Sequence, residues 1–535
     1  MSSPYVVVKN RWLGFLIWQS IASTTVYLST SLLLLLHRPS PLAILSFLAF
    51  HLSLLLLTLS LFLLSSPHPD PSASLPELAA ALLRASLCSL VGGFSHPSST
   101  PDARRRARRA LASALFLVIC AVSGFLSVAA VCGERELLYG LRLVGLGLRG
   151  SIFGLVYGLH YVFRKRWILK FPIIQRPLFY SFKMGISSSF KRALKVSIQA
   201  FFCSSLLMLF LPDQFKYTNT MRKYIMQQIK FYIGTFAISF CWEISHHLLQ
   251  VVHTRRCIFA PPQGSAAAET NPSETLLETL EQSSPRSLLQ YLAYLDLCMV
   301  AENNVEPWRR AAVFEETGET YRRVVNMCLR PLEQLTSRIA EGLEAFPMDK
   351  SDFLSQQLNS PATIQGDSKL NEAFDDSQLC TWCARTLATL TARSHWEDRY
   401  GVSQLTGCNS AVVSTLLSCL LAVEACLGKK TNPQPAHLMG PASIRWATVN
   451  TGRKDGVTAI TSKKRGAALH AKAYTMADVL RTSVYQIIST FQADMQANAK
   501  ASVLEKNWIG EGKPLYGARE ILVQKLGLFL DFCAV

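Results

Sequence analysis

The sequence predicts an all-α chain in two parts, a polytopic membrane protein with six transmembrane helices followed by an α-helical soluble domain with long disordered insertions. Three observations carry that expectation. The N-terminal half contains apolar runs of up to 24 residues without a formal charge, and about 20 helical residues cross the ~30 Å of bilayer hydrocarbon. The C-terminal half repeats apolar residues at helical spacings. Strand signals are almost absent from that half.

The first run, Leu13 to Leu36, is too long for a signal-peptide core, and no small-residue cleavage site precedes His37-Arg38-Pro39, so it reads as a retained first span. The second follows at once, Pro41 to Leu64, as a hairpin. AAALLRASLC, residues 79–88, is too short and too charged for a span and reads as an interfacial amphipathic helix. The third span is expected at about 110–131, the fourth at 143–163, the fifth at 194–211 with Lys195 snorkelling, and the sixth at 231–252.

Charge orients them. Residues 1–256 hold 27 Lys and Arg against 7 Asp and Glu, whereas the remainder holds 27 against 29. Six spans put both termini on one side, and that side collects 19 of the basic residues, including ARRRARRA at 103–110, against 7 on the other. The bias places both termini on the cytosolic or nucleoplasmic face. Loops beside an anionic bilayer account for the excess better than nucleic-acid binding does.

Chemistry inside the membrane half is thinly supported. Gly145-x-Gly147-x-x-Gly150 spells a dinucleotide fingerprint, but no strand precedes it and the position about 20 residues on is Lys170 rather than an acid. Read at helical period, Gly150, Gly154 and Gly158 form a double GxxxG, a close helix-packing face. The intramembrane polar residues Arg149, Glu243 and His246 are functional candidates because each is costly to insert. Glu243-x-x-His246 has the spacing of half a di-iron carboxylate site, but the second pair is missing. Arg149 as partner of Glu243 fits poorly in depth. No internal repeat or paired broken helices favour a transporter. The 14 cysteines imply no disulfide framework, and Cys380-x-x-Cys383 lacks a second ligand pair, so no metal, cofactor or catalytic residue is expected.

Beyond the first domain (1–256), a linker rich in Pro, Ala, Ser and Thr is expected over 257–284. Helices follow over 285–346, with Ser284 as N-cap, Pro285 at the first helical position, and a stripe of Leu288, Leu292, Leu295 and Met299. A second helix is expected at about 319–346, broken or kinked at Pro331. A flexible polar loop is expected at 347–377, helices at 378–428 and a second flexible loop at 429–466. AVVSTLLSCLLAVEACL, 411–427, reads as a buried core helix rather than a seventh span. C-terminal helices over 467–535 close the chain.

The run Leu292-Ala293-x-x-Asp296-Leu297, then Arg309-Arg310-x-x-Val313-Phe314, then a helix with Asn326-Met-Cys-Leu329, resembles the segment after the membrane region of the Ndc-type transmembrane nucleoporins. The resemblance implies a nuclear-envelope protein anchoring the nuclear pore complex to the pore membrane. It implies contacts with inner-ring and linker nucleoporins and the WD-repeat nucleoporin Aladin, besides membrane lipids; a homo-oligomer is left open and no direct nucleic-acid contact is implied. Asp296, Arg309 and Arg310 would be either a partner surface or an internal pairing of tail helices. A transporter, or a histidine and carboxylate membrane enzyme, is the alternative.

Overall fold

Each of the six apolar runs is helical, as a backbone removed from water must be if its N–H and C=O groups are to find partners. A computed structural model describes residues 4–34, 40–69, 80, 101–133, 140–210, 221–261, 264–344, 369–428, 459–510 and 512–534. Among them regular structure is helical throughout, save one isolated parallel bridge between Ser66 and Ile168. The predicted interfacial helix at 79–88 lies outside the described residues except for position 80. The chain divides into two units, Met1–Arg256 and Cys257–Val535.

Unit 1 consists of α1 (Pro4–Leu33), α2 (Ser40–Leu64), α3 (Pro101–Cys132), α4 (Gly140–Phe163), α5 (Leu178–Phe210) and α6 (Met221–His253). The basic run at 103–110, expected in a loop, is helical and forms the first turns of α3. The unit is built with its apolar surface outward: Ile44, Leu48, Leu52, Leu55, Leu59 and Leu63 make an exposed stripe along α2. Hydroxyls turn inward instead. Ser53 and Ser127 join α2 to α3 at 2.6 Å, and Tyr27 meets Ser46 at 2.9 Å between α1 and α2. Such bonds hold helices together where lipid supplies no hydrophobic drive.

Among the described residues four helices are long and apolar enough to cross a membrane: Ala43–Leu64, Ala107–Cys132, Leu143–Phe163 and Cys408–Gly428. This differs from the expected six, since α1, α5 and α6 are not among them. In α1 and α6 several of the polar groups that dilute the average are buried: Gln19, Ser23 and Thr30 in one, Thr235, Ser239 and Glu243 in the other. Averaging over a helix ignores which face its polar residues occupy.

The tightest helix contact is between α3 and α4. Gly124 of α3 meets Gly150 and Gly154 of α4 backbone to backbone, and a Cβ on Gly154 would collide with the Cys120 carbonyl oxygen. A Cβ on Gly158 would lie 2.9 Å from Leu117. Gly147 belongs to the same contact, its place taken up by the Phe125 ring. The partner of this glycine face is therefore a helix of the same chain.

Unit 2 begins earlier than the sequence suggests. The expected linker at 257–284 carries α7 (Ala266–Thr270) and α8 (Glu274–Gln282). Arg323 holds α8 down through Glu274 and Glu281, at 3.0 Å each. Then come α9 (Leu288–Glu302), α10 (Pro307–Ala311), α11 (Glu319–Glu344), α12 (Ser377–Glu397), α13 (Val402–Leu405), α14 (Cys408–Gly428), α15 (Ala459–Thr490), α16 (Gln492–Lys500), α17 (Leu504–Trp508) and α18 (Arg519–Ala534). The N-cap of α9 is Ser287, accepting from the Gln290 N–H, and not Ser284; Arg286 in between has φ +65 and cannot extend the helix. Helix also replaces the ends of both expected loops, at 369–373 and from Ala459 onward; 345–368 and 429–458 lie outside the described residues. The core is formed by α12 and α14, whose Trp382, Cys383, Leu387, Leu416, Leu420 and Val423 are buried.

Pro331 neither breaks nor ends α11, which runs unbroken from Glu319 to Glu344. Proline removes the N–H that would bond the carbonyl four residues back, that of Met327. The buried Tyr294 hydroxyl of α9 donates to that same oxygen at 3.0 Å, so the freed acceptor becomes a contact between helices. Tyr294→Phe should destabilise the full chain by about 1–3 kcal/mol, the cost of an unmet buried acceptor, and Pro331→Ala should restore much of it; additive losses in thermal unfolding would refute the compensation. In unit 1, Gly154→Leu should cost about 1–3 kcal/mol through overpacking, whereas Gly14→Leu, which meets nothing within 4 Å, should leave the detergent-solubilised melting curve unchanged.

Candidate functional site

In unit 1 the sequence leaves one question of charge: what meets Glu243, which is fully buried. The answer starts at the end of α4. Lys165 takes φ +50, the left-handed position of a helix C-cap; its N–H bonds the Val162 carbonyl while the Arg166 N–H bonds that of Tyr161. This pair is a Schellman closure, normally made with glycine. It reverses the chain and turns Arg166 back into the bundle. There its guanidinium grips Glu243 with two parallel bonds, Nη1 to Oε1 and Nη2 to Oε2, both 2.6 Å. Tyr161 and Tyr157 flank the arginine at 5.6 and 6.0 Å from ring centre to Cζ.

The other polar candidates of unit 1 do not converge on this pair. Arg149 bonds Gln228 at 2.8 Å and lies 3.6 Å over the Phe231 ring, so it is not the partner of Glu243. His246 is buried edge-on against Tyr161, and its Nδ1 meets no partner. Glu243 and His246 thus share a helix face without forming a ligand set, and no cluster of three metal-binding side chains occurs among the described residues.

The segment joining α4 to α5 is fastened along α6. Gln250 donates to the Ile168 carbonyl at 3.0 Å and accepts from the Lys170 N–H at 3.1 Å. His247 Nε2 lies 3.1 Å from the Phe182 carbonyl, an approach that Gly185 permits because a Cβ there would strike the imidazole. Ser66, just beyond α2, exchanges bonds with Trp167 and Leu169. Between this segment, the start of α5 and the end of α6 lies a cavity of about 590 Å³ whose walls include Arg166, His246 and His247. Arg166, Gln250 and Lys165 were invisible as site residues in the sequence, where they count only as loop charge or helix polarity.

In unit 2, Asp296, Arg309 and Arg310 are buried and paired internally. Arg309 bonds Asp296 and Glu306 at 2.8 Å each and reaches the Phe259 carbonyl at 3.2 Å. Asp296 also accepts the Phe259 N–H at 3.0 Å. Burial alone would lower the Arg309 guanidinium, but the Asp296 and Glu306 carboxylates outweigh it and hold it above the usual arginine value. The neighbouring Arg310 points the other way on the short α10. It grips Glu397 at the end of α12 with two bonds of 2.8 and 2.7 Å and caps α9 through the Asn303 carbonyl at 3.0 Å. Burial would raise the Glu397 carboxyl; the bonds from Arg310 and Arg393 hold it below the usual carboxylate range. In unit 2 Cys380 and Cys383 are likewise buried, and burial pushes both thiols well up.

Breaking one side of the unit 1 pair, by Arg166→Gln or Glu243→Gln, should destabilise the protein by about 3–5 kcal/mol, and the double variant Arg166→Met/Glu243→Leu by less than either. A double-mutant cycle on thermal unfolding in detergent checks this, and strictly additive losses would refute it.

A family model described as nucleoporin protein Ndc1-Nup matches residues 142–369 and 350–497. No curated protein matches the chain.

Proposed function

The chain belongs to the Ndc1-Nup family of nucleoporins, and on that premise we propose that it anchors the nuclear pore complex scaffold to the pore membrane of the nuclear envelope. Unit 1 is the membrane anchor, with α1 to α6 as six spans. The observation that carries this reading is its inverted surface, an apolar stripe outside α2 and hydroxyls and the Arg166–Glu243 pair within. A bilayer is the solvent such a surface suits.

Unit 2 is the scaffold-facing part, in the pore, and the loop charges of unit 1 support that side for both termini. Its partners are inner-ring and linker nucleoporins and the WD-repeat nucleoporin Aladin. Three of the residues that carried the resemblance, Asp296, Arg309 and Arg310, act on that surface indirectly by fixing α9, α10 and α12. The role is structural. Nothing favours the enzyme or transporter alternative, because both oxygens of Glu243 are engaged by Arg166.

A fluorescent fusion should give a punctate nuclear rim, and proximity labelling from the C-terminus should recover inner-ring nucleoporins. A uniform reticular or plasma-membrane signal without those proteins would overturn the proposal.

A further inference from the structure

The cavity beside Arg166 is lined by cations that have no counter-ion among the described residues. Arg164, Lys165, Lys170, Arg176, Arg192 and Arg255 surround it. Among the described residues none of the six makes an ion pair; Arg176 touches the Met184 sulfur and Arg192 the Ser188 hydroxyl. Glu243 is the one carboxylate among the described side chains of unit 1, and Arg166 occupies both its oxygens. Six like charges around one cavity repel, and the concentration of positive potential is relieved by an anion. His246, more than nine-tenths buried on the cavity wall with its Nδ1 unpartnered, is a further group with hydrogen-bonding capacity to spare.

The rest of the lining says what carries the anion. Leu178 and Val251 contribute apolar walls, Ile173 and Ile174 are lining residues that are themselves exposed, and Phe179 and Tyr180, next in sequence to Leu178, are exposed too. A free phosphate has no use for that surface. A lipid has use for both parts, with its headgroup among arginines and lysines and its acyl chains along the isoleucines and aromatics. We propose that this cavity binds the phosphate headgroup of an anionic phospholipid. The inference rests on the membrane residence of unit 1 and is independent of which complex unit 2 joins.

The test is native mass spectrometry of the purified full-length chain in detergent micelles doped with phosphatidylinositol 4-phosphate, phosphatidylserine or phosphatidylcholine. Wild type should retain the anionic lipids over phosphatidylcholine, and Arg176→Gln/Arg192→Gln should weaken that retention about 30-fold, on the scale of two surface cations. Arg222→Gln/Lys506→Gln, the same change in charge at residues that do not line the cavity, should not. The melting temperature of each variant separates lost binding from lost folding, since Arg176 and Arg192 are exposed. Equal retention of phosphatidylcholine, or undiminished retention by a folded Arg176→Gln/Arg192→Gln protein, would overturn the proposal. Displacement of the lipid by millimolar inorganic phosphate would overturn the lipid assignment in favour of a free anion. Nuclear-rim imaging of the same variants reports on anchoring separately, so a protein that loses lipid but keeps its rim signal tells the two apart.

Discussion

The bidentate pair between Arg166 and Glu243 is the interaction on which the order of unit 1 depends. A carboxylate with no exposure must meet a cation, because the cost of leaving it alone in a medium of low polarity exceeds what a bundle can absorb. Meeting that need dictates geometry well beyond the two residues. The chain has to reverse within three positions of the end of α4, so a lysine adopts the left-handed conformation that glycine would take more readily. Once Arg166 is inside, the residues after it are committed to the surface of α6, where Gln250 and His247 receive them. The same reversal leaves the neighbouring cations outside, crowded around one cavity.

Unit 2 solves its polar problem with the same chemistry to a different end. Arg309 and Arg310 are sequence neighbours on a helix of five residues, and their side chains leave it toward different partners. One joins Asp296 and the Phe259 backbone, the other Glu397 and the end of α9. Two adjacent arginines thereby tie together the start of the unit, its first long helix and its central helix. Tyr294 plays a similar part in an uncharged way, turning the gap that Pro331 leaves in α11 into a bond between helices.

Much of this was legible in the sequence, and what was not has identifiable causes. The long helices could be read because an uncharged run has one economical structure away from water. Their apolarity was harder to judge: α1 and α6 mix exposed apolar faces with buried hydroxyls, and composition does not record faces. Gly150, Gly154 and Gly158 announce a close contact by spacing alone, but that α3 fills it, through Gly124, is tertiary information. The partner of Glu243 was missed because Arg166 looks like one more loop charge until the turn at Lys165 is known. Ser284-Pro285 carried a good helix-start signal and lost to Ser287, whose own box with Gln290 lies three residues on. The stretch 257–284 read as a linker by composition, yet Arg323 and the Asp296–Arg309 pair fold it into the unit.

The hook on Phe259 has a mechanical consequence. Its N–H and C=O are both held, by Asp296 and Arg309, and α6 ends at His253. Only five residues of chain, 254–258, separate them, a contour of about 20 Å. A tether of Ser and Pro running to residue 284 would take up slack like a spring before passing on any load. With the first grip placed at Phe259, tension applied to the C-terminal half reaches α6 through that short stretch, and the buried Asp296–Arg309 pair is the first hold it meets.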